Sequence, residues 1–321
     1  MASCFWNNHV LQEEDSCHLP GNEPYAGYAM GGNSVVVTTI DQLLFASETT
    51  AIHSESLPVA IAKAAGVNSS TRGYALGGLE SGGGWSTEIQ GIEFSGGAAI
   101  NPAAVLSVNI TSSAGVSSAT RGYSLGGNSY STRTDEIQGI EFAGETAINP
   151  AAVLAVAREL LAGVNSSTRG YAMGGYGTAA SPYYKTEIDG IEFAGETAIN
   201  PAAVLAAARA RVCGVNSSTH GYAMGGYDTG AAPWDKAEID GIEFATESAV
   251  NPAAALSVAR GYICGVNSST RGYAMGGMNT SFSKFSVIDG IEFSSESAFT
   301  LSATIASTVY FDRAGVQWGT L

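Results

Sequence analysis

Charge is scarce in this chain, and positive charge is the scarcest. Only 13% of residues are charged, and 14 Lys and Arg stand against 29 Asp and Glu, a formal net charge of −15. Such a surface repels phosphate backbones, so nucleic acid is not an expected partner, and anionic membranes are disfavoured for the same reason. No run approaches the ~20 apolar residues that a membrane-spanning helix needs, so membrane insertion is not expected. Met1 to Val10 hold neither a basic region nor an apolar run, and no secretory signal peptide of the usual kind is expected. The four histidines, at 9, 18, 53 and 220, are scattered, and the four cysteines are Cys4, Cys17, Cys213 and Cys264. Neither set gives the clustered ligands of a metal site or the placed base of a catalytic triad. Disorder is also excluded, because hydrophobic residues make up 45% of the chain.

What the chain has in excess is glycine, 41 residues, and much of it recurs in one phrase, Gly-Tyr-Ala-Met-Gly-Gly at 170–175. Copies of that phrase end at Gly32, Gly78, Gly127, Gly175, Gly226 and Gly277, at intervals of 46, 49, 48, 51 and 51 residues. Six copies at a near-constant period define a repeat architecture. Residues 1–24 stand outside it as an N-terminal arm, and residues 25–321 form the repeat domain. Within the arm, Cys4 and Cys17 are within reach of each other for pairing, and Cys4, His9, Cys17 and His18 together offer metal-ligand types at a spacing that fits no standard zinc pattern. Cys213 and Cys264 occupy one position in adjacent repeats and are expected to be small buried hydrophobes rather than a disulfide.

One repeat reads as four strands. Ala162-Gly-Val is followed by the turn-forming Asn165-Ser-Ser, then by Gly170-Tyr-Ala-Met and the double glycine. A variable segment leads to Ile188-Asp-Gly-Ile-Glu-Phe193, which alternates like a half-buried strand. The segment from Asn149 to Ala162 resembles a capped helix locally, with Asn as N-cap and Pro at the first position. Its counterparts at 101–113 and 301–311 carry β-branched and turn-prone residues instead, so two short strands separated near Arg158 are expected, with the fourth strand of the blade in Ala-Val-Leu-Ala-Val. Four strands per ~50 residues make a propeller blade. The chain enters at a second strand (Gly27) and leaves on a first strand (Ala314-Gly-Val-Gln-Trp318), so the C-terminal strand is expected to complete the first of six blades.

The double glycine after a Tyr-bearing strand (Tyr171, Gly174, Gly175), with Phe193 in the next strand, resembles the kelch repeat. The tandem order of Gly-Tyr-x-x-Gly-Gly, Ile-Asp-Gly-Ile-Glu-Phe-Ala and Ala-Gly-Val-x-Ser-Ser-Thr is similar to that of kelch-like propeller proteins from bacteriophage virions, especially of cyanophages, and from cyanobacteria. The resemblance covers residues 25–321. It implies an all-β, six-bladed kelch-like propeller. It also implies a structural or receptor-binding role in a virion, in a tail fibre, a tail or associated with the capsid.

Glu141, Glu192, Glu243 and Glu292 recur at one repeat position, which points to a structural or solvated role rather than a catalytic pair. With no convergent polar set, no enzyme activity and no cofactor is expected. Arg72, Arg121, Arg169 and Arg271 precede Gly-Tyr and are expected to pair with repeated acids of a neighbouring blade, or else to form an anion-binding ring. Sequence variation concentrates after the double glycine, at 79–87, 128–135, 176–186, 227–237 and 278–286. Loops on a rigid scaffold commonly carry recognition, and aromatic rings there anchor protein interfaces or stack on sugars. The candidate binding residues are therefore Trp85, Tyr130, Tyr176, Tyr183, Tyr184, Tyr227, Trp234, Phe282 and Phe285, with packing over the blade edges as the competing role. Expected partners are other virion proteins or a host-surface glycan, with self-association open. The alternative is a bacterial carbohydrate-binding propeller lectin, located outside the cell or at its surface by another route.

Overall fold

The computed structural model describes residues 26–32, 36–178, 182–230, 232–307 and 311–318, and the backbone of two short paired strands, Phe5–Trp6 and His9–Val10. The arm residues Cys4, Cys17 and His18 lie outside the described residues, so pairing or metal binding there has no structural account.

The described chain is all β, in six four-stranded antiparallel blades arranged as a propeller. The second blade is typical: Ala65–Asn68, Arg72–Leu76, Ile89–Glu93 and Ala99–Ile100 pair in that order from the axis outward. The first blade joins the two ends of the chain. Ala314–Trp318 pairs with Ala26–Met30 through five registered residues, from Ala26 opposite Trp318 to Met30 opposite Ala314. The expected closure is therefore present, and it removes the exposed edge that an open ring would carry.

The placement of the fourth strand differs from the sequence reading. It is formed by Thr197–Ile199, ahead of Asn200-Pro201, and Val204 adds only an isolated bridge to Glu187. Proline has no N–H to give to a ladder, so the strand breaks there. The sixth blade bears this out: Thr300-Leu301 stand at the Asn-Pro position, and its fourth strand runs on from Ser297 to Thr304. No helix forms among the described residues, so the helix-like appearance of 149–162 is overruled by packing. Where the sequence reading puts the break between two strands, near Arg158, a two-residue strand forms instead, Arg158–Glu159 against Tyr176–Gly177.

Three rings of contacts hold the blades together. At the axis, the first-strand glycines stack blade on blade: a Cβ on Gly163 would stand 2.2 Å from the Gly115 carbonyl oxygen, and the same contact recurs around the circle. Midway, each second-strand tyrosine stacks on the third-strand phenylalanine of the next blade, as in Tyr74–Phe142 at 5.6 Å and Tyr123–Phe193 at 5.7 Å. All six junctions have this pair, each contributing ~0.5–1.5 kcal/mol beyond its buried area.

The third ring is ionic. Arg72, Arg121, Arg169 and Arg271 bond to Glu145, Glu196, Glu247 and Glu48 of the following blade, so the pairing reading of these arginines holds. The same carboxylates accept the hydroxyls of Tyr74, Tyr123, Tyr171 and Tyr273. In the fifth blade His220 stands in for the arginine, while Tyr222 still donates to Glu296. Between the first two blades Gly97 replaces the glutamate, and the His53 ring fills the space its side chain would need.

A fourth set of contacts is buried within the blades. Asp189, Asp240, Asp289 and Asp41 are sealed from solvent and ion-paired with the equally buried Arg158, Arg209, Arg260 and Arg313. The second and third blades have Gln90 and Gln138 at the aspartate position and Ile61 and Ile110 in place of the arginine. There the glutamines bond the connector backbone at Val59 and Val108 instead. Charge is buried only where its partner is present, because an unpaired ion in this environment costs several kcal/mol.

Candidate functional site

In every blade the second strand ends at a double glycine, and the variable segment follows before the third strand returns. All six double glycines have positive φ; Gly174 and Gly175 lie at 64° and 107°. A side chain at Gly175 would meet the Leu161 side chain at 2.8 Å and the Glu159 carbonyl oxygen at 2.9 Å. Only glycine both adopts this conformation without strain and leaves that space empty. The turn brings each variable segment against the connector that enters its own blade, as where Ile61 and Ala62 pair with Glu80 and Leu79. One face of the propeller, the loop face, is thus built from connectors and variable segments. The opposite face has the Arg–Tyr–Glu clamps and the Ser-Ser turns.

The loop face gathers several of the expected aromatic residues. Trp85 and Tyr130 stack at 5.7 Å across the second and third blades. Tyr176 meets Tyr183 at 5.7 Å and Tyr184 at 5.2 Å, and Tyr184 meets Tyr227 of the next blade edge-on at 5.6 Å. Burial, reinforced by the neighbouring Tyr227, pushes the Tyr184 hydroxyl up to about 12. Trp234, Phe282 and Phe285 join no ring contact among the described residues. Tyr130, Tyr183, Trp234 and Phe282 are exposed, Phe282 by 78%, while Trp85, Tyr176, Tyr184, Tyr227 and Phe285 are half-buried. The first four are therefore presented to solvent, and the other five pack in part on the ring.

Sequence reasoning missed the cations and the inner residues of this face. Arg133 lies 4.3 Å above the Tyr176 ring, with its Nε also bonded to Glu159. Arg211 lies between the rings of Tyr227 and Tyr262, at 4.7 and 4.5 Å. Tyr262 in turn meets Phe311, over which Lys284 lies at 5.5 Å. A detectable signal was present: two residues before each first strand the copies read Lys63, Ser112, Leu160, Arg211, Tyr262 and Asp312, six different side chains in an otherwise uniform repeat.

Those six residues surround the axial opening on the loop face. All have positive φ, between 56° and 62°. Their backbones close a circle of hydrogen bonds: each N–H donates to the carbonyl of the preceding member, from Lys63 to Asp312 (2.9 Å) round to Asp312 to Tyr262 (3.4 Å). The backbone polar groups are thus satisfied, and six unlike side chains are left around one opening. At the other end of the axis the lining is nearly uniform: Asn68, Ser117, Asn165, Asn216, Asn267 and Gln317. Cys213 and Cys264 lie beside this channel, buried and free, their thiols pushed up to about 12 by burial. They are small core residues, as expected.

No group of His, Cys, Asp or Glu arranged to hold a metal occurs among the described residues, and no described helix is long and apolar enough to cross a membrane. No family model matches the chain, and no curated protein is significantly similar to it.

Proposed function

We propose that this protein is a non-enzymatic binding protein that engages its partner through the loop face, as a kelch-like component of a phage virion contacting either another virion protein or a host-surface glycan. The observation that carries the binding reading is the division of labour between the two faces. The clamp side is repeated nearly unchanged, and its arginines, tyrosines and glutamates bond one another within the ring. The loop side differs from blade to blade and exposes Tyr130, Tyr183, Trp234 and Phe282. Exposed aromatic residues in a polar surround are the usual anchors of an interface. The virion assignment rests on the resemblance of the repeat grammar alone. The alternative, a bacterial lectin, draws on the same rings, since tyrosine and tryptophan faces also stack on sugars.

The test replaces Tyr130, Tyr183, Trp234 and Phe282 together with Ala. Melting temperature should hardly move, while attachment or assembly should weaken by ~30-fold or more, the effect of losing even one hot spot of ~2 kcal/mol. Mass spectrometry of purified particles separates the two settings. Presence in particles supports the virion role; absence from them, with retention on a glycan array, selects the lectin. A variant that binds and assembles like the parent refutes the face assignment.

A further inference from the structure

Arg211 is unusual among the arginines of this chain. Its guanidinium is held between two tyrosine rings, and it makes no hydrogen bond or ion pair with any other described residue. The other arginines of the connectors and clamps are bonded to carboxylates. A guanidinium whose faces are covered by rings still offers its edge, a row of N–H donors suited to a planar carboxylate. Lys63 is the second cation of the circle, and its ammonium is likewise without a hydrogen-bonding or ionic partner among the described residues. It belongs to the second blade and Arg211 to the fifth, three places apart in a ring of six, so the two stand on opposite sides of the axis.

Both line one cavity at the opening, together with Ser112, Leu160, Tyr262 and Asp312. Its volume is about 90 Å³, where a single water needs ~10–15 Å³. That accommodates a carboxylate group but not a polypeptide segment, so the body of a ligand must rest above it. Beside Arg211 lies the tyrosine cluster of Tyr184, Tyr227 and Tyr262. Asp312 is the one acid of the circle, and Glu159 nearby is bonded to Arg133. Two cations in so acidic a protein, facing one opening without partners, are a local reversal of its overall charge.

We infer that the axial opening of the loop face is a binding site for an acidic sugar, with the carboxylate of a uronic acid taken by Arg211 and Lys63 and the sugar ring lying against the tyrosines. The site rests on the reading of the loop face as a binding surface and assigns it a ligand class. Substitutions here are compatible with folding, because the circle already holds Lys, Ser, Leu, Tyr and Asp at the same backbone conformation.

The test is calorimetric titration of the full chain with glucuronate, glucose and inorganic phosphate, for the parent, Arg211→Ser and Lys63→Ser. Glucuronate should bind and glucose should not, with affinity falling as salt rises. Each substitution should weaken glucuronate binding by ~10-fold or more, the effect of losing a charge-assisted hydrogen bond. Glucose binding as tightly as glucuronate, or glucuronate binding unaffected by both substitutions, overturns the assignment. Phosphate binding as tightly as glucuronate also overturns it, since the ligand is then a free inorganic anion. The four-aromatic Ala variant keeps glucuronate binding if only the wider face reading fails, so the two failures are distinguishable.

Discussion

Exchanging the buried ion pair of the fourth blade for the neutral pair of the second and third gives a sharp test of how the ring tolerates charge. Asp189 is fully buried; its carboxylate accepts Nη1 and Nη2 of Arg158 and the Ala155 N–H at 2.8 Å. Arg158 also donates to the Ala172 carbonyl at 2.9 Å. Asp189→Gln leaves a buried guanidinium with no counter-ion, and such half-broken pairs cost ~3–5 kcal/mol. Arg158→Ile leaves the carboxylate stranded, at a similar cost near neutral pH. Burial already pushes Asp189 above the ordinary carboxylate value, against the pull of Arg158. Without Arg158 that rise is larger, so the single variant should lose stability as pH climbs through the raised value and regain it below.

The double variant, Arg158→Ile with Asp189→Gln, reproduces the Ile110–Gln138 arrangement that the third blade already uses. It should fall within ~1–2 kcal/mol of the parent, although the single costs sum to ~6–10 kcal/mol, and that shortfall is the coupling read by a double-mutant cycle. The assay is urea denaturation followed by tryptophan fluorescence and circular dichroism, with the midpoint shift taken at constant slope. In a chain of this size each single variant should also melt ~5–15 °C lower. Equal damage in the double and single variants would refute the reasoning: charge pairing would not then be what couples the two positions.

Three further outcomes follow from the same structure. Deleting residues 313–321 removes both the closing strand and Arg313, the partner of Asp41, so the truncated chain should melt far below the parent; melting within a degree or two would contradict closure by that strand. Gly175→Val puts a β-branched side chain at a φ of 107° and against Leu161. It should cost ~1–3 kcal/mol from backbone strain alone, and a neutral urea midpoint would show that the position relaxes. Burial, and then the hydrogen bond to glutamate, raise Tyr123 and Tyr171 from 10.0 to about 12. Because the folded value lies above the unfolded one, their contribution is intact below about pH 10 and is lost as pH rises through about 12; melting temperature should fall over that window in step with tyrosinate absorbance, and a fall completed lower would contradict it.

Much of this protein was determined by its sequence alone. A period near 50 residues, a double glycine at fixed places and a lone first strand at the end suffice for six blades and their closure. These are local matters: strand alternation, turn chemistry and the arithmetic of repeats. The pairing of Arg72 and its counterparts with acids one blade on was also legible, since a charge repeated with the fold needs a partner repeated with it. The position of the fourth strand was misjudged, because Ala-Val-Leu has the composition of a strand while Thr-Ala-Ile lies where the ladder is geometrically available and proline does not interrupt it.

The tertiary structure decided the rest. That Asp189 meets Arg158 is invisible in the local pattern of either segment; it depends on the connector folding back over its own blade. The gathering of Arg211, Tyr227 and Tyr262 depends on two neighbouring blades, the fifth and the sixth, turning their connectors and loops together. Lys63 and Arg211 are far apart along the chain, and only the ring of blades places them at one opening.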